Sequence, residues 1–488
     1  MTMTSVPLQV LPEPALLIGA QRRTDSSGGE YDHVYAATGR RTVTVPVGGP
    51  SEIDEAVRAA AAAAPGWRAT APDRRRDLLL ELARRIVDHA ERLGMLQTVE
   101  TAVPRRFATR LPQVAADFLT YCAGWADKDA GEVVRTWPAP ALDYTLDEPY
   151  GVVAVIVPWN APLPSIAQVL APALAAGNTV VLKPPPLAPF TALAVAELAL
   201  DAGIPPGVVN AVATGPEGGA ALVGHAGVDK IHFTGSAATG QRVLGAAAAN
   251  LTPVCLELGG KSAHVIFADA DLRMAARQVL AGLVVNSGQM CVSGTRVLVQ
   301  AAAYDEVLAT LTKRLRHVSV GDPLLDATLM GPVISEEACR RILGVVERTV
   351  TAGEARLVTG GERLGGELGE GYFLPPTVLA DIDHGSDLVQ QEVFGPVLSL
   401  HRFDTEQDGL RLANATRYGL AAYVHTTDLR RAHRVAAGLV AGTVWVNGFP
   451  GVGPAVPFGG TRHSGFGRVG GRAGMREFSR PKNVWVSL

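Results

Sequence analysis

Short apolar runs alternate with helix-length segments in the middle of the chain, and this alternation constrains the fold more than any other feature. The apolar runs are residues 151–157, 179–182, 208–212 and 230–233, and the segments between them are 164–176, 190–203 and 217–225. Continuous apolar runs of this length are typical of strands buried on both faces, and strands that alternate with helices form parallel sheets. The pattern therefore predicts a doubly wound parallel sheet.

Polar or glycine residues follow each of the four apolar runs. They are Asn160, Lys183, Gly215 and Ser236. Parallel sheets bind ligands beyond the carboxyl ends of their strands. We therefore expect these residues to lie at one ligand-binding edge.

The second half of the chain repeats this alternation. Its strand-like runs are residues 263–267, 296–299, 397–403, 421–425 and 443–446. They predict a second α/β unit that begins near Gly259-Gly260, and residues 482–488 are predicted to form a terminal strand. Before the first sheet, we expect an alanine-rich helix from Ser51 to about Pro65 and an amphipathic helix from Asp73 to about Glu100.

Composition narrows the class of protein. The chain has 488 residues, 47% of them hydrophobic, and a formal net charge of −3. This length predicts two or three sub-domains, and the balanced charge gives no reason to expect nucleic acid or an anionic membrane as a partner. The cysteines show no C-x-x-C spacing, which argues against a disulfide framework or a metal site. Because residues 1–20 lack the basic start of a signal peptide, we expect a cytoplasmic protein.

Two glycine-containing segments compete as the cofactor site. Gly465-Phe-Gly-Arg-Val-Gly470 matches G-x-G-x-x-G, but no apolar strand leads into it and no βαβ unit follows, so we predict a loop. The segment 233–240, Phe-Thr-Gly-Ser-Ala-Ala-Thr-Gly, reads as a strand, a tight turn and a helix start, where backbone N–H groups can receive a pyrophosphate. A Gly-Ser helix cap also occurs without any ligand, so both interpretations stay open at this point.

Cys291 stands in Asn-Ser-Gly-Gln-Met-Cys-Val, at the boundary between a helix-like and a strand-like run. Polar residues and a glycine at such a boundary can bring a reactive group to a cavity. A lone cysteine can equally be an inert, buried small residue. Local composition leaves the two interpretations open.

Further motifs change that balance, because together they resemble the aldehyde dehydrogenase superfamily from about Thr38-Gly39 to the C-terminus. The motifs are, in order, Pro158-Trp-Asn160, Lys183-Pro184, Phe233-Thr-Gly-Ser236, Glu257-Leu-Gly-Gly-Lys261, Gly288-Gln-Met-Cys291, Glu392-Val-Phe-Gly-Pro396, Trp445-Val-Asn447 and Pro457-Phe-Gly-Gly460. The resemblance implies two Rossmann-like domains and a small β oligomerisation element. By this likeness, residues 1–126 and 150–258 bind the cofactor, 259–458 form the catalytic domain, and 127–149 with 470–488 form the oligomerisation element.

The resemblance also implies roles for individual residues. Cys291 would add to the aldehyde carbonyl, and the Asn160 amide with the Cys291 backbone N–H would stabilise the resulting oxyanion. Glu257 would act as the general base when water attacks the thioester. NAD, with NADP also plausible, would contact Val157, Pro158, Trp159, Lys183, Pro186, Gly215, Phe233, Thr234, Gly235, Ser236, Leu258, Gly259, Glu392 and Phe394. Lys183 would contact the adenine ribose and Ser236 the pyrophosphate, and Glu392 and Phe394 would lie near the nicotinamide and its ribose.

The chain departs from the family pattern at one cofactor position. Many NAD-preferring members have a glutamate three residues after the cofactor lysine, where this chain has Pro186. Without that carboxylate, a contact that favours NAD and a repulsion that excludes the 2′-phosphate of NADP are both lost. We therefore expect relaxed cofactor choice.

The positions that resemble the family's substrate tunnel also differ. They are Ala161, Gln168, Met290, Val292, Val452 and Phe458. Acetaldehyde-type members have aromatic residues where Ala161, Gln168 and Val452 stand here, so we expect a wider tunnel and a bulky, aromatic or long-chain aldehyde. A homodimer or homotetramer is implied, with no nucleic-acid or membrane partner.

Three other functions compete with this interpretation. An acylating semialdehyde dehydrogenase would pass the acyl group to coenzyme A, although such enzymes lack the base that Glu257 would provide. A non-catalytic relative would bind the cofactor without turnover, but such proteins can lose the cysteine or the glutamate and both are present here. A cysteine hydrolase would need a histidine partner, and the spacing of the histidines indicates none.

Overall fold

The computed structural model describes residues 4, 6–128, 130–449, 451 and 453–487. Its strands, in chain order, are β1 (Leu16–Ile18), β2 (Gln21–Arg23), β3 (Glu30–Tyr35), β4 (Arg40–Pro46), β5 (Val133–Val134), β6 (Ala141–Pro149), β7 (Val152–Ile156), β8 (Thr179–Lys183), β9 (Val209–Ala211), β10 (Lys230–Gly235), β11 (Val254–Leu258), β12 (Ala263–Ile266), β13 (Arg296–Gln300), β14 (Arg356–Thr359), β15 (Thr377–Ala380), β16 (Val397–Phe403), β17 (Ala421–His425), β18 (Thr443–Val446), β19 (Gly465–Phe466) and β20 (Ser479–Ser487).

The α-helices are α1 (Pro50–Ala69), α2 (Pro72–Asp88), α3 (Ala90–Thr101), α4 (Arg105–Ala108), α5 (Leu111–Ala123), α6 (Pro162–Ala176), α7 (Phe190–Asp201), α8 (Pro216–Val223), α9 (Ala237–Ala247), α10 (Leu272–Val284), α11 (Tyr304–Leu315), α12 (Glu336–Thr351), α13 (Asp387–Gln390), α14 (Glu406–Asn414), α15 (Leu429–Gly438) and α16 (Gly471–Arg476). In the described part of the chain, no helix combines the length and apolar character needed to cross a bilayer.

The first sheet has the order β19-β11-β10-β7-β8-β9-β1-β2, and its five central strands, β11 to β9, run parallel. Its strands are apolar throughout because both faces are covered. In β7, Val153 and Val155 face a core shared with α2, α5, α6 and α7, whereas Val152 and Ala154 face a core shared with α1, α8 and α9. This is the doubly wound arrangement that the alternation predicts.

The second sheet has the order β14-β15-β16-β13-β12-β17-β18, and all its pairs are parallel except β14 with β15. Helices α10 and α11 cover one face and α14 and α15 the other. The chain passes from the first sheet to the second between Leu258 and Ala263. The predicted fold class is confirmed, while the predicted limits of the three regions stay a prediction.

A third sheet of β20, β6 and β5 is antiparallel and stands apart from the other two. Strand β20 pairs with β6 along its whole length, from Ser479 opposite Pro149 to Ser487 opposite Ala141. Several of its large apolar side chains are exposed, including Trp485, Val486 and Leu142. Its three strands lie within the two segments, 127–149 and 470–488, that the resemblance assigns to the oligomerisation element.

Three local predictions were wrong. Helix α1 continues past Pro65 to Ala69, although Pro65 has no N–H to donate. The amphipathic segment forms two helices that break at His89, which has φ −102° and ψ 17°. Gly465-Phe466, predicted to lie in a loop, forms the short strand β19 on the edge of β11.

Candidate active site

The carboxyl ends of the central strands meet at one edge of the first sheet. The register places Ile156 of β7 opposite both Lys183 of β8 and Phe233 of β10, and Gly235 of β10 opposite Leu258 of β11. The residues after these strand ends therefore collect at this edge. They are Val157, Pro158, Trp159 and Asn160 after β7, Pro186 after β8, Ser236 after β10 and Gly259 after β11.

The backbone before Cys291 has an unusual conformation. Asn286, Ser287 and Gly288 are consecutive and all have positive φ, at 52°, 54° and 70°. Side chains other than glycine rarely adopt this region, and each such residue costs on the order of 1 kcal/mol. Gly288 has a second constraint, because a Cβ there would collide with the Gly395 carbonyl oxygen. The turn reverses the chain after α10 and brings Cys291 to the edge of the first sheet.

Hydrogen bonds to other parts of the chain hold this turn in place. The Asn286 Nδ2 donates to the Asn160 carbonyl oxygen at 2.7 Å, and the Ser287 hydroxyl donates to the Gly331 carbonyl oxygen at 2.7 Å. The Gln289 side chain accepts a hydrogen bond from the Ile334 N–H at 2.9 Å. Such bonds compensate for the strained backbone and fix the position of the loop.

Two side chains connect the loop to the two sheets. Asn160 Nδ2 donates to the Gln289 carbonyl oxygen at 2.8 Å, so its amide lies beside the segment that carries Cys291. From the second sheet, the Tyr423 hydroxyl donates to the Val292 carbonyl oxygen at 2.8 Å. The cysteine is thus held between Asn160 on one side and Tyr423 on the other.

Glu257 lies in β11 with only 6% of its surface exposed. Neither of its carboxylate oxygens has a hydrogen-bond partner among the described residues. Burial raises the pKa of this carboxyl well above its usual range; the Arg468 guanidinium opposes this effect and Glu477 adds to it. A buried carboxylate without partners and with a raised pKa binds a proton more strongly than an exposed one, which suits it to act as a base.

Cys291 shares this electrostatic environment. Burial, together with the nearby carboxylates of Glu392 and Glu257, raises the pKa of its thiol to about 12, against the opposing effect of the backbone N–H groups of Val292 and Cys291. The thiol is therefore protonated at rest. Because the thiolate is the reactive form, the sulfur can attack an electrophile only after a base has removed this proton.

Glu392 lies next to the end of β11 and near the loop that carries Cys291. Its Oε1 accepts a hydrogen bond from the Gly260 N–H at 3.1 Å, and a Cβ on Gly259 would collide with its carboxylate. Burial raises the pKa of this carboxyl to about 7, against the effects of the Gly260 N–H and Lys261. Gly259 is therefore required for the close approach of Glu392.

Aromatic side chains line the same edge of the sheet. Trp159 packs edge-to-face on Phe394, with ring centroids 5.5 Å apart. Phe394 has a positive φ of 51°, and the Arg341 Nη1 donates to the carbonyl oxygen of the preceding Val393 at 2.7 Å. The arrangement joins the strand end after β7 to the segment that contains Glu392.

Lys183 and two helix starts form a second group at this edge. Burial lowers the pKa of the Lys183 ammonium to about 8, and that ammonium has no hydrogen-bond partner among the described residues. Gly215 precedes α8, and Ser236 caps α9 by accepting a hydrogen bond from the Thr239 N–H at 3.2 Å. Helix N-termini and an unpaired ammonium suit a ligand with phosphate and hydroxyl groups. Thr234 and Gly235 are the last two residues of β10, directly before this cap.

The predicted tunnel residues lie at different depths. Met290 and Cys291 are partly buried against a core that contains Val292 and Phe458. Ala161 and Gln168, at the start and in the first half of α6, are also partly buried. Val452 lies outside the described residues.

Several residues of this site were not predicted. Asn286, Tyr423, Trp445 and Arg468 all contact it or lie within its charge environment. Trp445 packs with Met290 and Cys291 against the same core and stacks on Tyr423 at 5.1 Å. Asn286, Trp445 and Arg468 stand inside quoted segments, whereas the hydrogen bond from Tyr423 gives no local signal in the sequence.

Comparison with known proteins shows to which family the chain belongs. The model of the aldehyde dehydrogenase family matches residues 23–484. The chain belongs to this family. It is 37% identical over 482 residues to a betaine aldehyde dehydrogenase of Cereibacter sphaeroides, covering 99% of both chains, and 40% identical over 440 residues to an aldehyde dehydrogenase of Davidiella tassiana, covering 90% and 88%. The crystal structure of betaine aldehyde dehydrogenase from Staphylococcus aureus in complex with NAD⁺ superimposes with a TM-score of 0.96 at 34% identity, covering 98% of this chain and 96% of that one. The resemblance inferred from the motifs is confirmed.

Proposed function

We propose that the protein oxidises an aldehyde to a carboxylic acid with NAD(P), through a covalent intermediate on Cys291. One observation carries the proposal. A cysteine on a strained, hydrogen-bonded loop shares a site with the Asn160 amide and with a buried carboxyl, Glu257, that has no hydrogen-bond partner among the described residues. Nucleophile, oxyanion donor and base are the three groups that this chemistry requires.

The chain's own residues account for the bond changes at the carbonyl carbon. The Cys291 sulfur adds to the carbonyl once its proton has passed to a neighbouring carboxylate, and the developing oxyanion accepts hydrogen bonds from the Asn160 amide and the Cys291 N–H. A bound NAD(P)⁺ would supply the hydride acceptor, and loss of the hydride from the tetrahedral carbon would leave a thioester on Cys291. Glu257 then takes a proton from water as the oxygen attacks this thioester, the carbon–sulfur bond breaks, and the acid leaves.

The residues at the sheet edge fit a dinucleotide. The Lys183 ammonium, which lacks a partner among the described residues, would bind a ribose hydroxyl, and the N–H groups at the start of α9 after Ser236 would bind phosphate. A Cβ at Gly215 would meet nothing within 4 Å, so space is open beside α8. Pro186 offers no carboxylate at the position that favours NAD, which supports acceptance of NADP as well.

The tunnel residues support a bulky, aromatic or long-chain aldehyde. Ala161 and Gln168 stand where acetaldehyde-type members have aromatic residues, and Met290 carries no aromatic ring either. A quaternary ammonium, such as that of betaine aldehyde, is bound best by several aromatic faces. Betaine aldehyde is nevertheless the second candidate, because several relatives are named betaine aldehyde dehydrogenase. Trp445, which packs in the same cluster as Cys291, would offer one aromatic face to its ammonium group.

The exposed apolar side chains of the third sheet support a homodimer or homotetramer. Trp485 in β20 and Trp137 in the β5–β6 connection are 49% and 81% exposed. Such large apolar surfaces are rarely left open on a monomer. Sedimentation velocity of the purified protein would test this, and a single species with the mass of one chain would contradict it.

The experiment that tests the activity is the initial rate of NAD(P)H appearance over short, long-chain and aromatic aldehydes and betaine aldehyde, with each cofactor separately. We expect turnover with a bulky aldehyde that is lost in Cys291→Ala. Turnover that requires coenzyme A would show the acylating alternative. Absence of reduced cofactor with every aldehyde, from folded protein that binds NAD, would favour the non-catalytic alternative.

A further inference from the structure

The glycine-rich segment 465–470, which is not a cofactor loop, lies against the strand that carries Glu257. Gly465 pairs with Glu257 and Phe466 with Leu256 in an antiparallel register. Gly465 and Gly467 have positive φ of 102° and 89°, and a Cβ on either would collide with β11, at Leu256 and Cys255 respectively. The glycines thus allow this segment to approach β11 more closely than any side chain would permit.

This close approach places Arg468 beside the Glu257 carboxylate. A Cβ built on Gly459 would lie 2.7 Å from Glu257 Oε1 and 2.9 Å from Arg468 Cδ, so the two side chains pass the same point. The Arg468 Nη1 donates to the carbonyl oxygens of Gly460 at 2.9 Å and Gly467 at 2.6 Å. The guanidinium is therefore fixed by backbone carbonyls, and it forms no salt bridge with a carboxylate of the described residues.

The other charged groups around Glu257 are few. Glu477 accepts a hydrogen bond from the Arg468 backbone N–H at 3.1 Å and forms an ion pair with Lys230 at 3.1 Å. The Cys255 thiol, two residues before Glu257 in β11, is buried and neutral, because burial holds its pKa above the usual range. The Cys291 thiol, on which the Glu257 charge also acts, is protonated. Arg468 is thus the cation that faces Glu257, and Glu477 the opposing anion.

We infer that Arg468 is a positioning residue whose fixed positive charge keeps the Glu257 carboxyl available as a base, an inference that rests on the proposed function. A buried carboxyl with no favourable charge nearby stays protonated and cannot accept a proton from water. The guanidinium stabilises the ionised form without forming a direct salt bridge, which would occupy the oxygens that must reach water. The segment 465–470 therefore contributes to hydrolysis of the thioester through Arg468.

The test is the pH dependence of deacylation in three variants. Acyl-enzyme formed with aldehyde and NAD is followed by intact-protein mass spectrometry after rapid quenching. Arg468→Met removes the charge and keeps most of the aliphatic stem. We expect it to move the acid limb of the pH–rate profile, where deacylation slows as the pH falls, to higher pH by about one to two units. Arg468→Lys retains the charge and should show less than half of that shift. Glu477→Gln removes the opposing anion, so its acid limb should move to lower pH.

Arg462→Met is the matched control. Arg462 also donates its Nη1 to two backbone carbonyls, those of Asn414 and Thr416, but it is not among the charged groups that act on Glu257. Its removal should leave the acid limb in place. If the limb shifts equally in Arg462→Met and Arg468→Met, or shifts in the same direction in Glu477→Gln and Arg468→Met, the inference is overturned.

One further variant separates this inference from the proposed function. Glu257→Gln should form acyl-enzyme and fail to release it at any pH. If Glu257→Gln deacylates at the normal rate, the proposed role of Glu257 is wrong. If Glu257→Gln is blocked while Arg468→Met keeps an unshifted acid limb, only the role of Arg468 is wrong.

Discussion

Replacing Tyr423 with phenylalanine removes one hydrogen bond from the loop that carries Cys291. The Tyr423 hydroxyl donates to the Val292 carbonyl oxygen at 2.8 Å. Its ring stacks on His264, with centroids 4.2 Å apart, and on Trp445 at 5.1 Å. A phenylalanine ring can keep both stacks. The substitution therefore deletes the bond to the residue after the nucleophile and leaves the packing in place.

The size of the effect follows from burial. Val292 is buried, so its carbonyl oxygen would lose this donor without a ready replacement from water. Leaving one buried partner unsatisfied costs about 1–2 kcal/mol. If that cost appears as misplacement of Cys291 during addition to the carbonyl, kcat should fall by roughly five- to thirtyfold. KM for the aldehyde should change much less, because the tunnel side chains are unaltered.

The assay is steady-state aldehyde oxidation with saturating NAD, together with the rate of Cys291 alkylation. Tyr35→Phe is the matched control, since Tyr35 is fully buried and its hydroxyl has no hydrogen-bond partner among the described residues. That control should keep the kcat of the unaltered protein. Unchanged kcat in Tyr423→Phe, or an equal loss in Tyr35→Phe, would refute the reasoning.

Three further predictions concern the site itself. Asn160→Ala should lower kcat about 10²- to 10³-fold by removing an oxyanion donor, measured as NADH formation, and a loss below tenfold would contradict that role. Glu392→Gln should speed alkylation of Cys291 by iodoacetamide near neutral pH. The substitution removes a negative charge, which lowers the pKa of the thiol and raises the fraction present as thiolate. An unchanged alkylation rate would mean that Glu392 does not act on the thiol. The ratio of kcat/KM for NAD over NADP should lie below roughly 10³. Pro186→Glu should reduce kcat/KM for NADP by about tenfold to a hundredfold, because the new carboxylate repels the 2′-phosphate. An unaltered ratio in this variant would show that the 2′ position of the ribose lies elsewhere.

The sheets could be predicted because their strands are apolar without interruption. Strands buried on both faces leave a local signal, and residues 397–403, 421–425 and 443–446 were predicted with the observed limits. The polar residues after each strand follow from the same pattern, since parallel strands share one carboxyl edge. Fold class and the general location of the site are therefore encoded locally in the sequence.

The remaining features depend on contacts that a linear pattern does not record. The turn at Asn286 and Ser287 has positive φ, and hydrogen bonds from their side chains to the distant carbonyl oxygens of Asn160 and Gly331 stabilise it. The break between α2 and α3 at His89 carries neither proline nor glycine. Arg468 reaches Glu257 from a segment far along the chain, which only the pairing of β19 with β11 brings close.

The most direct test of the account is the mass of Glu257→Gln after incubation with NAD and an accepted aldehyde. The account predicts an acyl group on Cys291, so the mass of the protein should rise by the mass of the aldehyde less two hydrogens. One equivalent of NADH should form with it, and Cys291→Ala should show neither. Formation of NADH without any adduct, or an adduct on another residue, would contradict the covalent mechanism through Cys291.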